Sequence, residues 1–203
     1  MAVSNPYAET VVPRGAVTFP LRLPEPDGFD PDQPETWPHV TGRLEYRDGA
    51  LWFMPPCGDD QQETTADVVT QLGLWRRDRQ GFVVGTNEAG MRLGDDVRGA
   101  DVAVWRRVDV GPNTGGFRRV APLLAVEVAG TDDTVEMLSD KTRWYLDHGV
   151  KVVWVLVPEE RRVIVTTADG ERSFGLGDVI PEHEALPGLT PAVLDLFGQL
   201  EGR

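Results

Sequence analysis

The sequence is poor in the side chains that most often build metal and redox sites. Cys57 is the single cysteine, so an internal disulfide and a cysteine-ligated zinc site are both excluded. The three histidines, His39, His148 and His183, are scattered without ligand spacing, and a histidine-rich metal centre is not expected. Lysine is scarcer still: of 20 basic residues, all but Lys141 and Lys151 are arginine. No apolar run approaches the ~20 residues that a membrane helix needs, so no membrane partner is expected. The opening MAVSNPYAETVVPRG has no positive end followed by an apolar block, which reads as a cytoplasmic protein without a secretion signal. Positive charge as a whole is short. A formal net charge of -13 argues against a tight grip on a nucleic-acid backbone through a broad basic face. It leaves open a metal-dependent enzyme, whose site needs acids.

What is present fits one domain, since 203 residues suffice for a single sizeable core. Residues 1–40 are rich in proline and acid and read as an N-terminal arm that wraps the surface, with residues 41–203 forming the folded domain. GRLEYRDGALWFMPP has two alternating runs around Asp48-Gly49, which predicts a hairpin stopped by Pro55 and Pro56. From Asp59 to about Gln80 the apolar residues Val68, Leu72 and Trp75 recur at helical intervals, with acids early and arginines late. Strand-like runs follow at FVVGT, AGMRL, ADVAVW, LLAVEVA, KVVWVLV and RRVIVTT, interrupted by one helix over Thr131–His148 with Thr131, Asp132 and Asp133 as candidate caps. Asp169-Gly170 marks another hairpin, and TPAVLDLF predicts a short closing helix with Thr190 as its cap and Pro191 in its first position. The order predicts an α/β or α+β domain with a mixed central β-sheet flanked by helices.

Charge inside this pattern is the feature that points to chemistry. Strand alternation puts Asp101, Ala103 and Trp105 on one face of ADVAVW, and Ala125, Glu127 and Ala129 on one face of LLAVEVA. Small alanine neighbours leave a hollow beside each acid. If these strands pair, two carboxylates share a recess, and either one pKa rises or a cation is held between them. Hard oxygen donors without His or Cys favour Mg²⁺ or Mn²⁺. On the following helix, Lys141 falls at the centre of the apolar side with Met137, Leu138, Trp144 and Tyr145, so it points toward the sheet that carries the acids. Taken singly, Asp101 also suits a turn or cap, and Glu127 also suits a structural ion pair with Lys141. Together they point to a site.

These residues carry a resemblance. The pieces LEYRDGALWFMPP, GMRLGDDVRGADVAVW, LLAVEVAG, DKTRWYLDHGV and VVWVLVPEERRVIV, over roughly residues 41–168, resemble the Uma-two family of restriction-endonuclease-like proteins within the PD-(D/E)XK nuclease superfamily. The resemblance implies a restriction-endonuclease-like α/β core. It implies that Asp101, Glu127 and the Val128 backbone carbonyl hold a metal, that Lys141 is the active-site lysine, and that Glu45 is a further acidic position. Read alone, Glu45 also suits a cross-strand partner for an arginine. The superfamily's usual lysine position, two residues after the glutamate, is Ala129 here, and the lysine looks to have moved to the following helix. Three departures stand out: Ala100 where proline is usual, Met137 where an aspartate is common, and Val157 before Pro158 where an aspartate precedes the proline.

The expected activity is thus metal-dependent hydrolysis of phosphodiester bonds in nucleic acid, DNA being the first candidate. The competing expectation is a nuclease fold kept as a binding or scaffold module, with the same acids and lysine forming an ion-pair network. The many arginines and tryptophans also suit a homodimer, with Trp52, Phe53 or Trp105 in a self-association patch.

Overall fold

Residues 18–113, 115–131 and 133–201 are described by a computed structural model, and its strands follow the alternation of the sequence closely. Strand β1 (Leu21–Leu23) precedes the hairpin of β2 (Arg43–Arg47) and β3 (Ala50–Met54), whose turn residues Asp48 and Gly49 both have positive φ as a type I′ turn requires. The long helix α1 (Asp59–Arg76) follows, then the paired strands β4 (Phe82–Leu93) and β5 (Asp96–Arg106) and the single turn α2 (Arg107–Val110). Strand β6 (Leu124–Val128), helix α3 (Val135–Asp147) and strand β7 (Val152–Val157) form a parallel crossover, and β8 (Arg162–Thr167) and β9 (Gly170–Phe174) end the sheet as the Asp169-Gly170 hairpin.

The nine strands make one sheet in the order β1-β3-β2-β5-β6-β7-β8-β9, with β4 paired to β5. Among the described strands, its mixed character rests on the parallel pairing of β6 with β7. Strand β5 holds the centre. It pairs with β4 along its length, with β2 at Val97 and with β6 at Val102–Val104. Between those two contacts Gly99 and Asp101 are left to side-chain partners.

Four sequence expectations are corrected. The runs FVVGT and AGMRL are one strand, β4, bent by a bulge between Thr86 and Ala89 where Asn87 and Glu88 take positive φ. Helix α1 ends at Arg76 rather than near Gln80, because Arg77 N–H already turns back to the Leu74 carbonyl. Helix α3 is capped by Thr134, whose hydroxyl accepts from Met137 N–H; Asp133 instead accepts the Gly130 N–H at 2.7 Å, and Asp132 lies outside the described residues. The closing helix is two 3₁₀ turns, Val193–Leu196 and Gly198–Leu200, without a side-chain cap from Thr190. Within residues 18–40, β1 joins the sheet by pairing with β3, and Phe29 and Trp37 pack against Tyr46 and Phe117.

Two apolar layers flank the sheet. Val102, Val104, Leu124, Val126 and Val128 face Val68, Leu72 and Trp75 of α1 and the C-terminal turns. Ala103, Trp105, Ala125, Val153 and Val155 face the side on which Tyr145 of α3 packs. Trp105 is fully buried there, so it cannot belong to a self-association patch.

Candidate active site

The β5–β6 ladder stops at Val102 opposite Val126, and the side chains take over from that point. The next free main-chain donor on β6, Val128 N–H, donates to Asp101 Oδ2 at 2.7 Å. Asp101 and Glu127 are both buried, at 8% and 5% exposure, as the alternation of the two strands and their alanine neighbours predict. Lys141 enters from α3, donates to Glu127 Oε2 and to the Gly99 carbonyl, both at 2.9 Å, and pairs with Glu45 Oε1 at 3.1 Å. The chain's scarce lysine is therefore the hub that joins β2, β5, β6 and α3. Glu45 also accepts the Gly99 N–H at 3.4 Å, so the unpaired stretch of β5 finds its partners in the site.

Four groups at the site were not anticipated. Tyr145, one helical turn after Lys141, donates its hydroxyl to Glu127 Oε1 at 2.5 Å. Its place on the inward face beside Lys141 is legible in retrospect, because residues four apart share a face. Gln61 of α1 donates to the Val128 carbonyl at 2.7 Å. The stripe Val68, Leu72 and Trp75, continued one heptad back, lands on this buried glutamine, and a polar residue in that position was a readable sign. Arg43 of β2 bridges Asp101 and Glu88, 3.4 Å from each. Neither Arg43 nor Glu88 is marked by any local pattern, since they meet only through strand order and the β4 bulge.

The electrostatics follow from this crowding. Burial, joined by the nearby Asp101 charge, pushes the Glu127 carboxyl up to about 8 against the pull of Lys141 and Tyr145. Burial likewise raises Asp101, opposed by Lys141 and by the Val128 N–H. Glu88 is raised by burial as well. For Glu45 burial works in the same direction, yet Lys141, Arg98 and Arg47 outweigh it and hold that carboxyl below its usual value. Lys141 is held firmly in its charged form, its acids overcoming burial. The cluster thus carries four acids in direct contact with two cations, and burial is what raises three of the four.

Oxygen is the donor on offer to a metal: two carboxylates and the Val128 carbonyl, a hard set that suits a divalent ion such as Mg²⁺ or Mn²⁺. Among the described residues no three His, Cys, Asp or Glu side chains converge as a metal-holding group. A cation here would therefore rely on the main-chain carbonyl and water beside Asp101 and Glu127, with Glu45 kept at a distance by its bond to Lys141.

With that geometry in view, comparison with known proteins is informative. The sequence pattern of the Uma2 family, described as "Putative restriction endonuclease", matches residues 31–196. The chain belongs to the Uma2 family. A solved "putative nuclease belonging to DUF820 from Anabaena variabilis ATCC 29413" is similar at a TM-score of 0.72 and 18% identity, covering 82% of this chain and 96% of that one. At this identity the likeness is one of fold, and it makes the core restriction-endonuclease-like. No curated protein matches the chain. Of the three departures, Ala100 is buried beside Asp101, and Met137 and Val157 bring no acid.

Proposed function

We propose that this Uma2 protein is a metal-dependent nuclease that hydrolyses phosphodiester bonds, DNA being the first substrate to test. The observation that carries the reading is the reach of Lys141 from a separate helix onto Glu127, beside an Asp101 fixed by the neighbouring strand. Asp101, Glu127 and the Val128 carbonyl would hold Mg²⁺ or Mn²⁺, with Glu45 as an outlying acid. When bound, such an ion neutralises phosphate charge and lowers the pKa of a coordinated water. The chain's own groups do the rest. Gln61 aims the Val128 carbonyl, Tyr145 fixes the rotamer of Glu127, and the Val128 N–H fixes Asp101. Lys141, held in its charged form, would exchange one of its three internal partners to orient the attacking water, or stabilise charge that develops on the phosphate.

A second reading has its own observation. Lys141 is fully satisfied inside the protein, and arginine sets on the surface are paired with acids: Arg106 with Asp109, Arg119 with Asp32, Arg143 with Asp140 and Arg162 with Glu160. That is the arrangement of a closed ion-pair network in a binding module. Titration calorimetry with Mg²⁺ and with Mn²⁺ on wild type and Glu127→Ala, followed by plasmid nicking with Lys141→Ala as control, separates the two. The nuclease reading expects saturable binding and nicking by wild type, both lost in Glu127→Ala, with nicking alone lost in Lys141→Ala. Absence of cation binding to wild type would overturn it in favour of the network.

A further inference from the structure

We propose that Arg43 is a substrate-binding residue, the guanidinium that this site offers to a phosphodiester oxygen, restrained by Asp101 and Glu88 until substrate arrives. The inference rests on the nuclease reading and adds to it a residue outside the triad. Arg43 is mostly buried, with its side chain 20% exposed, yet it is loosely held. Its Nη1 lies 3.4 Å from both acids, whereas Lys141 has its three partners at 2.9 to 3.1 Å. Its Nε is buried without a hydrogen-bond partner. A buried donor left unpaired is costly, and an incoming acceptor would recover that cost. A planar fork of N–H donors is the geometry that phosphate takes up best.

Space lies where that acceptor would come from. Arg43 lines a cavity of about 90 Å³ with Met54, Gly130, Thr131, Met137 and Asp133, whose carboxylate is held by the Gly130 N–H, at the end of β6 that carries Glu127 and Val128. The restraint is itself a built feature. Glu88 is aimed at Arg43 by the β4 bulge, where Asn87 and Glu88 hold φ of 60° and 57°. Left-handed backbone at two successive non-glycine residues is costly and collects at functional sites. Gly99 makes the approach feasible, since a Cβ there would stand 3.3 Å from the Glu88 Cβ. Glu88 has its side chain 38% exposed, so water can take over from Arg43 when the guanidinium turns away.

The test is fluorescence anisotropy with a labelled DNA duplex and a labelled single-stranded RNA, in EDTA and again in Ca²⁺, across a salt series. Arg43→Gln is expected to weaken binding about tenfold and to reduce the slope of log K against log salt by about 1, as loss of one phosphate contact does. Glu88→Gln frees Arg43 from one acid and is expected to tighten binding. A purely structural Arg43 predicts lower melting temperatures for both variants, an unchanged salt slope and no gain from Glu88→Gln, and that result overturns the proposal. Should Arg43→Gln fail to fold, Glu88→Gln decides alone, and binding that is equal or weaker overturns it. Wild-type binding that Arg43→Gln leaves intact removes the proposal while the nuclease reading stands. No binding of either probe by wild type removes both.

Discussion

Strands β5 and β6 have two sides that share a backbone and little else. Toward α1 they present Val102, Val104, Leu124, Val126 and Val128, packed on Val68, Leu72 and Trp75 as an unbroken apolar layer. Toward α3 they present Asp101, Ala103, Ala125 and Glu127, alternate residues of the same two strands. Bulk on one side fixes the sheet. On the other, alanine in place of valine leaves the volume in which two acids, a lysine and a tyrosine hydroxyl can meet. The lesson is that the reactive face is not an addition to the fold. It is the other parity of the strands that hold the fold together, and its charges are tolerated because Lys141, the Tyr145 hydroxyl and the Val128 N–H compensate them. Each face should therefore fail in its own way.

The largest effect is expected at the hub. Lys141→Ala leaves Glu127 and Glu45 buried without their cation, and breaking a buried pair from one side costs about 3–5 kcal/mol. Urea unfolding at neutral pH should show that loss, and plasmid nicking should fall by roughly two orders of magnitude or more. Adding Glu127→Gln should return part of the stability and none of the activity, since removing both charges is milder than stranding one.

Leu72→Ala probes the opposite face. A fully buried leucine truncated there should cost about 2–5 kcal/mol, depending on how far α1 settles onto Val102 and Val126. The comparison sharpens if cation binding by the folded fraction, read by calorimetry, is unchanged. If it weakens as well, the two faces are coupled through the sheet rather than separate.

Acid and base should also act differently on the two glutamates that share Lys141. Glu127 has its carboxyl pushed up to about 8, mainly by burial and then by Asp101. Its folded state holds a proton more tightly than the unfolded chain, so its contribution to stability is full below about 4.5 and is lost as pH rises toward about 8. Glu45, held low by Lys141 against burial, contributes stability above its unfolded value that is lost on acidification. Melting curves should accordingly show Glu127→Gln gaining on wild type between pH 5 and about 8, while Glu45→Gln flattens the acid limb. An identical pH profile for wild type and Glu127→Gln would mean that the carboxyl titrates normally.

How much of this was legible depends on the range of the interaction. The Asp48-Gly49 hairpin, the facing of Asp101 and Glu127, and the inward turn of Lys141 follow from local periodicity and were readable before any fold was known. Glu45 was placed only by resemblance, because its link to Lys141 depends on β2 pairing with β5 across a long stretch of chain. Arg43 and Glu88 were unreadable for the same reason, and the bulge that turns Glu88 inward has no glycine to announce it. The helix-start reading for α3 failed on competition among neighbours: Asp133 was drawn to the Gly130 N–H, leaving Thr134 to cap.

The mildest test concerns Tyr145, which belongs to both worlds, its ring in the apolar layer and its hydroxyl on Glu127. Tyr145→Phe keeps the ring and removes one donor from a buried carboxylate, so the expected loss is about 1–2 kcal/mol, less than for Lys141→Ala or Leu72→Ala. Stability alone cannot separate a hydrogen bond from a packing defect. The hydroxyl, however, favours the ionised form of Glu127, so its removal should push that titration still higher and move the alkaline loss of stability upward in pH. A packing defect would lower the melting temperature by the same amount at every pH. A shift in the midpoint therefore assigns the 2.5 Å contact to the chemistry of the acidic face, and a uniform offset assigns Tyr145 to the core.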